Sequence, residues 1–175
     1  MIAHVILVGL PGAGKSSVGR RVASQLGRPF LDFDEELERR TSMTVGEIFR
    51  THGESHFRQL ELALTQELAK AEGAILAPGG GWVTVPGALA LLRPPARMIY
   101  LRVAPEVAIL RIGRSRRARP LLEAPEPLEV LRGLAEQRET AYEQADDAID
   151  TDLVDVESLA VQIARLVDPS IGSRV

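Results

Sequence analysis

Apolar residues occur along the chain in short runs that alternate with segments of helical spacing. Five segments are typical of strands, at residues 4–8, 30–32, 74–77, 97–101 and 148–150. Helices are predicted between and after them, at 16–26, 34–40, 44–53, 54–71, from 86, 105–113, 127–145 and 155–167. This alternation predicts an α/β fold, with a parallel sheet covered by helices on both faces.

Two local signals support the predicted helices in the first half of the chain. Thr44 and Glu47 have the spacing of a capping box, which opens a short helix that we expect to end near Gly53. The longer helix that follows has four apolar residues spaced for one buried face, at Phe57, Leu60, Leu64 and Leu68.

The first predicted strand leads into the segment Gly-Leu-Pro-Gly-Ala-Gly-Lys-Ser at residues 9–16, and a helix follows. This order fits the phosphate-binding loop, in which backbone N–H groups surround an anion at a helix N-terminus. The alternative is a glycine turn that only happens to precede a lysine. We favour a nucleoside triphosphate site, with Lys15 on the β- and γ-phosphates and the Ser16 hydroxyl on Mg²⁺. The predicted ATP contacts in this segment are Gly12, Ala13, Gly14, Lys15, Ser16 and Ser17.

Composition limits the remaining possibilities. The 175 residues are 45% apolar and 26% charged, which predicts one globular domain over residues 1–168 with a frayed tail at 169–175. A net charge of −3 gives no general attraction to nucleic acid or anionic membranes. The chain has no cysteine, which excludes disulfides, thiolate metal sites and cysteine nucleophiles. Without a leader-like start or a membrane-length apolar run, we expect a cytoplasmic protein with no membrane partner.

Several polar or glycine-rich segments are candidates for the acceptor site, although each has a structural alternative. Asp32 and Asp34 follow the second strand, at the sheet edge where ligands bind in α/β folds. Asp34 is alternatively a helix N-cap, and Asp32 a solvated strand end. Arg58 and Glu61 are spaced as a surface ion pair, and the glycines at 79–81 as a tight turn.

A basic, proline-flanked segment at residues 113–127 is a candidate for a mobile loop. It contains four arginines, Arg114, Arg116, Arg117 and Arg119, which are alternatively a solvated basic run.

Taken together and in this order, these segments resemble the shikimate kinase family over about residues 5–167. The resemblance rests on the loop at 9–16, Asp32 and Asp34, Gly53-Glu54-x-x-Phe57-Arg58-x-x-Glu61, Gly79-Gly80-Gly81, Arg119-Pro120-Leu121-Leu122, and Arg138 four residues before Tyr142. It implies a P-loop kinase of the nucleoside-monophosphate-kinase type, with a five-stranded parallel sheet. An acceptor-binding region at about 32–61 and a closing lid at about 113–127 are also implied.

The resemblance further implies ATP-dependent phosphorylation of the 3-hydroxyl of shikimate, in the biosynthesis of chorismate and aromatic amino acids. Arg58 and Arg138 would hold the shikimate carboxylate, because guanidinium groups match its geometry. Asp34 and the glycine segment Gly79, Gly80 and Gly81 would bind the hydroxyls. Asp34 would either accept the proton of the attacking hydroxyl or only orient it.

The same resemblance assigns the nucleotide end of the site. Asp32 would reach Mg²⁺ beside Ser16, and Lys15 is a catalytic residue together with Asp34 and Arg119. Arg119 would close over the phosphates with the lid, and Arg111 would pack on adenine. The expected partners are ATP and shikimate, and we expect a monomer.

Two other functions stay open at this point. One is a different small-molecule kinase of the same superfamily, such as a gluconate or nucleotide kinase. The other is a non-catalytic binding module of the shikimate kinase type. Trp82, the one tryptophan, follows the glycine segment where the family usually has a small residue. It either fills the edge of the core or has a role in the site.

Overall fold

The computed structural model describes residues 3–113 and 124–172. The described residues form one sheet of five strands, β1 (Val5–Val8), β2 (Phe30–Asp32), β3 (Ile75–Ala77), β4 (Arg97–Arg102) and β5 (Asp147–Asp150). All pairings are parallel, and the strand order is β2-β3-β1-β4-β5. Every strand lies within one residue of its predicted bounds, which confirms the predicted five-stranded parallel sheet.

Helices cover both faces of this sheet. In the described residues they are α1 (Lys15–Leu26), α2 (Phe33–Thr41), α3 (Val45–Leu68), α4 (Ala88–Leu92), α5 (Pro105–Gly113), α6 (Pro127–Tyr142) and α7 (Val156–Val167). The step from β1 to β2 crosses the sheet in one direction, and all later steps cross it in the other. Because such crossovers are right-handed, α1 lies on one face and α2 to α6 lie on the other. The last helix, α7, packs against α1.

The core lies between the sheet and these helices. β1 is buried at all four positions, as expected for a central parallel strand with both faces covered. α1 buries Val18, Val22 and Ala23 on its inner face. The helix ends at Leu26, and Gly27 in the left-handed region is its C-cap.

The prediction of two helices that meet near Gly53 is confirmed, because α3 is interrupted by a kink at that residue. α3 spans Val45–Leu68 as two helical segments, and Gly53 between them has the non-helical angles φ 81° and ψ 170°. Glycine reaches positive φ without a Cβ clash, so one residue leaves the helical region and the helix resumes beyond it. The predicted capping box is confirmed, because Thr44 N–H donates to Glu47 Oε2 at 2.7 Å and Glu47 N–H donates to Thr44 Oγ1 at 3.2 Å.

Other boundaries shift by a few residues. α4 begins at Ala88, two residues after the predicted start at Pro86, because Gly87 in the left-handed region precedes it. α6 ends at Tyr142 and not near Ala145. A 3₁₀ turn at Trp82–Thr84 was not predicted, and a second one covers Pro169–Gly172.

The topology brings three loops to one edge of the sheet. β1, β2 and β3 are neighbours, and their carboxyl ends lead into the phosphate-binding loop, Asp32 with Asp34, and the glycine segment Gly79–Gly81. This is the edge at which open α/β sheets bind ligands. Within the described ranges, no helix has the length and apolar character needed to cross a membrane.

Candidate active site

The phosphate-binding loop encloses an anion site at the start of α1. Gly12 and Gly14 have φ values of 85° and 93°, which L side chains rarely adopt. A Cβ at Gly12 would also lie 2.7 Å from the carbonyl oxygen of Ala108. Gly14 is the N-cap of α1 and has no side chain to cap it, so the amides of the first turn point towards the loop.

Lys15 is folded over the same loop. Its Nζ donates to the carbonyl oxygens of Gly9 at 2.8 Å and Leu10 at 3.1 Å. The ammonium group is therefore held directly over the space that the loop encloses, where phosphate oxygens are better acceptors than neutral carbonyls.

A cavity of about 600 Å³ adjoins this loop. Its lining includes Gly12, Ala13, Gly14, Lys15, Ser16, Ser17, Asp32, Asp34, Gly79, Gly80, Arg111, Ile112, Val154, Val156 and Leu159. Asp32 and Asp34 make one part of the lining polar, whereas Ile112, Val154, Val156 and Leu159 make another part apolar beside the charged Arg111 and Asp155. This division suits a ligand with a charged end and a flat apolar end.

Arg111 lies beside the apolar part of the cavity lining. Its Nη1 donates to Thr151 Oγ1 at 3.0 Å, and its Nη2 donates to the carbonyl oxygen of Thr151 at 2.5 Å. Thr151 is fully buried at the end of β5. The guanidinium plane is thus fixed against the wall, where its face is suited to stack on an aromatic base.

Asp32 lies between the loop and α2. Its Oδ1 accepts from the N–H of Glu35 at 3.1 Å, and its Oδ2 accepts from the Ser16 hydroxyl. Asp32 is therefore the N-cap of α2 and is buried, whereas Asp34 lies in the first turn of the helix. The structural alternatives considered for this pair are both wrong, because they made Asp34 the cap and Asp32 a solvated strand end.

Ser16 and Asp32 together present oxygen atoms beside the phosphate loop, and oxygen is the donor type that Mg²⁺ prefers. Among the described residues, no group of three or more histidine or acidic side chains is placed to bind a metal alone. Magnesium in phosphoryl-transfer sites is commonly held by one or two protein groups together with substrate phosphates. The donor set fits that arrangement.

The glycine segment Gly79–Gly81 is the point at which the acceptor-side residues converge. A Cβ at Gly79 would lie 2.9 Å from Glu61 Oε1 and 3.5 Å from Asp34 Oδ1. A Cβ at Gly80 would lie 3.1 Å from Arg138 Nη1, and one at Gly81 would overlap the Arg58 guanidinium. Side chains from α2, α3 and α6 therefore meet at one backbone segment, which is more than a tight turn.

Arg58 is oriented by two carboxylates of its own helix. Its Nη1 donates to Glu61 Oε2 at 2.6 Å, and its Nη2 donates to Glu54 Oε1 at 2.8 Å. The Glu61 side chain has 0% exposure, so the alternative of a surface pair is wrong for Arg58 and Glu61. Burial lowers the pKa of Arg58, but the two carboxylates outweigh it and raise the pKa above its usual value.

The carboxyl group of Glu61 has a strongly raised pKa. Burial raises its pKa to about 7, against the opposing charge of Arg58. Its Oε1 is buried, and the described residues provide no hydrogen-bond partner for it. The nearby Asp34 carboxylate raises the pKa further, whereas Arg138 lowers it.

Arg138 reaches the segment from α6 and is almost fully buried. One helical turn later, the Tyr142 hydroxyl donates to the carbonyl oxygen of Gly80 at 2.6 Å. Burial raises the pKa of Tyr142 to about 12, so the phenol stays neutral and keeps this hydrogen bond. Tyr142 also stacks on Tyr100, with ring centroids 4.9 Å apart.

The structure therefore groups the predicted residues into two sets. Lys15, Ser16 and Asp32 lie at the phosphate end, and Asp34 with the glycine segment joins them to Arg58 and Arg138. Ser17 lines the cavity, as does Arg111. Arg119 and the other lid arginines, Arg114, Arg116 and Arg117, lie outside the described residues.

Three residues of the site region were not among the predicted site residues. Glu61 was paired with Arg58 by spacing, but the pattern did not show that it is buried. Tyr142 was visible only as the residue four positions after Arg138. Thr151 gave no signal, because its contact with Arg111 joins the ends of two distant segments.

Comparison with known proteins shows the family of the chain. A profile of the shikimate kinase family matches residues 11–167. Shikimate kinase of Cereibacter sphaeroides is 38% identical over 159 residues, which covers 91% of this chain and 79% of that protein.

Solved structures extend the comparison to the fold. A shikimate kinase from Acinetobacter baumannii, in complex with shikimate, superimposes with a TM-score of 0.90 at 35% identity and covers 100% of this chain and 96% of that one. A deoxyadenosine kinase from M. mycoides shares the fold, with a TM-score of 0.61 at 17% identity. The superposition covers 95% of this chain and 98% of that kinase. The family profile, the sequence identity and the superposition all span nearly the whole chain, and together they show that it belongs to the shikimate kinase family.

Proposed function

We propose that this protein transfers the γ-phosphoryl group of ATP to the 3-hydroxyl of shikimate, giving shikimate 3-phosphate and ADP for aromatic amino acid biosynthesis. Family membership supports the activity. The choice of shikimate as the acceptor rests on one observation. Arg58 and Arg138 converge on the glycine segment, beside Asp34 and next to the phosphate loop.

The two arginines suit the carboxylate of the acceptor. Each guanidinium has parallel N–H donors that match two carboxylate oxygens, and both groups are largely shielded from water. Arg58 is already oriented by Glu54 and Glu61, so little side-chain freedom is lost when the acceptor binds.

Asp34 suits the hydroxyl end of the acceptor. It lines the cavity between the glycine segment and the phosphate loop, where the attacking oxygen must lie. There it accepts the proton of the 3-hydroxyl or orients the hydroxyl towards the γ-phosphorus. Phosphoryl transfer depends mostly on positioning and charge neutralisation, so either role is sufficient for catalysis.

The phosphate loop and its neighbours hold the donor. Lys15 would transfer its hydrogen bonds from the Gly9 and Leu10 carbonyls to the β- and γ-phosphates. Ser16 and Asp32 would hold Mg²⁺, which when bound supplies positive charge to the phosphate oxygens. Gly12, Ala13, Gly14 and Ser17 contribute the remaining contacts of the loop.

The base and lid residues complete the proposed site. Arg111, which its hydrogen bond to Thr151 holds against the cavity wall, would stack on adenine. Arg119 would close over the transferring phosphoryl group as the lid at about 113–127 shuts. A single kinase domain over residues 1–168, a monomeric state and a cytoplasmic location are part of the same proposal.

An acceptor panel tests this function. ADP release is measured with shikimate, gluconate or a nucleoside monophosphate as acceptor, and Lys15→Ala serves as the inactive control. We expect release that depends on shikimate and is lost in the control. Release with gluconate or the nucleotide alone would indicate another kinase, and binding of shikimate without any release would indicate a non-catalytic module.

A further inference from the structure

Trp82 directly follows the glycine segment, and its whole side chain is buried with 0% exposure. The indole Nε1–H donates to Thr65 Oγ1 of α3 at 2.9 Å. A buried indole N–H requires an acceptor, and this acceptor belongs to the helix that carries Arg58. An apolar ring of the same size would fill the space without making this directional contact.

Thr65 links Trp82 to the helical turn that contains Glu61. Its hydroxyl donates to the carbonyl oxygen of Glu61 at 2.7 Å, and Thr65 is itself fully buried. Such a bond to the residue four positions earlier fixes the hydroxyl in one orientation, with its lone pair towards the indole. Trp82, Thr65 and Glu61 therefore form one buried hydrogen-bonded chain.

Trp82 also contacts the aspartate loop. Its ring meets the Phe33 ring edge-on, with centroids 6.2 Å apart, and Phe33 stands between Asp32 and Asp34. Phe33 is fully buried as well, so the contact links α2 to the glycine segment inside the core.

The backbone of Trp82 holds the glycine segment itself. Its N–H donates to the carbonyl oxygen of Gly79 at 3.0 Å. Gly81, the residue before it, lies so close to the Arg58 guanidinium that a Cβ there would overlap it. A rotation of Trp82 would therefore move the surface on which Arg58 rests.

We propose that Trp82, through its hydrogen bond to Thr65, is a positioning residue that fixes the relative positions of the segments that form the acceptor half of the site. One side chain links the three segments that carry Asp34, Arg58 with Glu61, and Gly79–Gly81. The nucleotide half is built mainly on α1 and Arg111, so the effect of this link should fall on the acceptor more than on ATP. The proposal rests on the proposed function, because its effect is read through acceptor kinetics.

The experiment compares variants that remove or keep the hydrogen bond. Trp82→Phe keeps a ring and removes the N–H, and Thr65→Val keeps the shape and removes the hydroxyl. Thr65→Ser keeps the hydroxyl. Ile163→Val, in the buried face of α7, is a core control on the opposite face of the sheet. For each variant, kcat and both KM values are measured together with the free energy of unfolding.

We expect Trp82→Phe and Thr65→Val to lower kcat/KM for shikimate by about tenfold to a hundredfold, with the ATP KM within about twofold of wild type. The double variant should lose no more than the worse single variant, because both changes remove the same bond. Thr65→Ser, which keeps the hydroxyl, should retain most of the wild-type kcat/KM for shikimate. Ile163→Val should lower stability and leave the shikimate KM unchanged.

Unchanged shikimate kinetics in folded Thr65→Val would overturn the proposal, as would equal increases in both KM values. If Trp82→Phe does not fold, the comparison of Thr65→Val with Thr65→Ser decides alone. If wild type phosphorylates another acceptor, the proposed function fails, whereas the same variants tested with that acceptor still decide the role of Trp82.

Discussion

Arg58 Nη1 lies 2.6 Å from Oε2 of Glu61, a carboxylate with no exposed surface. The acceptor carboxylate would thus meet a guanidinium that is already held in place, with its charge partly balanced from the protein side. Preorganisation of this kind lowers the conformational entropy lost on binding. It also makes Arg58 difficult to replace by a residue with another donor geometry.

Arg58→Lys should therefore raise the shikimate KM and leave ATP binding nearly unchanged. The loss of a bidentate charge-assisted contact costs on the order of 1.5–3 kcal/mol, or about tenfold to more than a hundredfold. Steady-state kinetics measure both constants. Arg50→Lys is the control, because Arg50 is exposed on the same helix. An unchanged shikimate KM in Arg58→Lys would remove Arg58 from the site.

Asp34→Asn should lower kcat much more than it changes ATP affinity. If Asp34 accepts the proton, the loss is about 10²–10⁴-fold, and a smaller loss indicates orientation alone. Glu35→Gln is the control, since Glu35 is the next residue and pairs with Arg20 at the surface. A decrease in kcat of less than about threefold would mean that Asp34 has no catalytic role.

Gly80→Ala should impair the site by steric overlap alone. The new methyl group would lie 3.1 Å from Arg138 Nη1, from the Gly9 carbonyl oxygen and from Pro11 Cδ, and the backbone of the phosphate loop cannot easily move away. We expect kcat/KM for shikimate to fall by about tenfold or more.

Gly133→Ala in α6 is the matched control for Gly80→Ala. A Cβ at Gly133 meets no atom within 4 Å, so this change should stabilise the protein by about 0.5–1 kcal/mol with unaltered kinetics. Wild-type kinetics in Gly80→Ala would show that the glycine segment does not form a tight wall of the site.

The buried Glu61 predicts a pH dependence of stability. Its pKa is raised from 4.5 to about 7, so between these values the folded protein binds more protons than the unfolded chain. Stability is therefore lost as the pH rises through this window, by up to about 3 kcal/mol from this group. Glu61→Gln removes the titration and isolates its contribution.

Denaturant unfolding of wild type and Glu61→Gln between pH 5 and 8 measures this effect. The stability of wild type relative to the variant should decrease with rising pH and level off towards about pH 8. A difference that is constant with pH would show that Glu61 has the same charge state throughout.

The sequence was most informative where local rules determine the structure. The phosphate-binding loop needs its glycines at fixed positions, and the capping box at Thr44 and Glu47 depends on neighbouring residues only. Strand bounds were accurate because buried parallel strands appear as short apolar runs bounded by turns.

The sequence was least informative where contacts join distant segments. Which aspartate caps α2 depends on the exact residue at which β2 ends, and that residue is Asp32, which also accepts a hydrogen bond from Ser16 of α1. The burial of Glu61 and the pairing of Trp82 with Thr65 depend on how α3 packs against the glycine segment. No spacing within one helix contains that information.

The most direct test of the central claim identifies the product of the reaction. Enzyme, MgATP and shikimate are incubated, ADP is quantified, and the product is examined by phosphorus and proton NMR, with Lys15→Ala as the control. We predict one phosphomonoester, coupled to the proton on carbon 3 of shikimate and formed in equal amount to ADP. Absence of this product, or phosphorylation at another hydroxyl, would contradict the account.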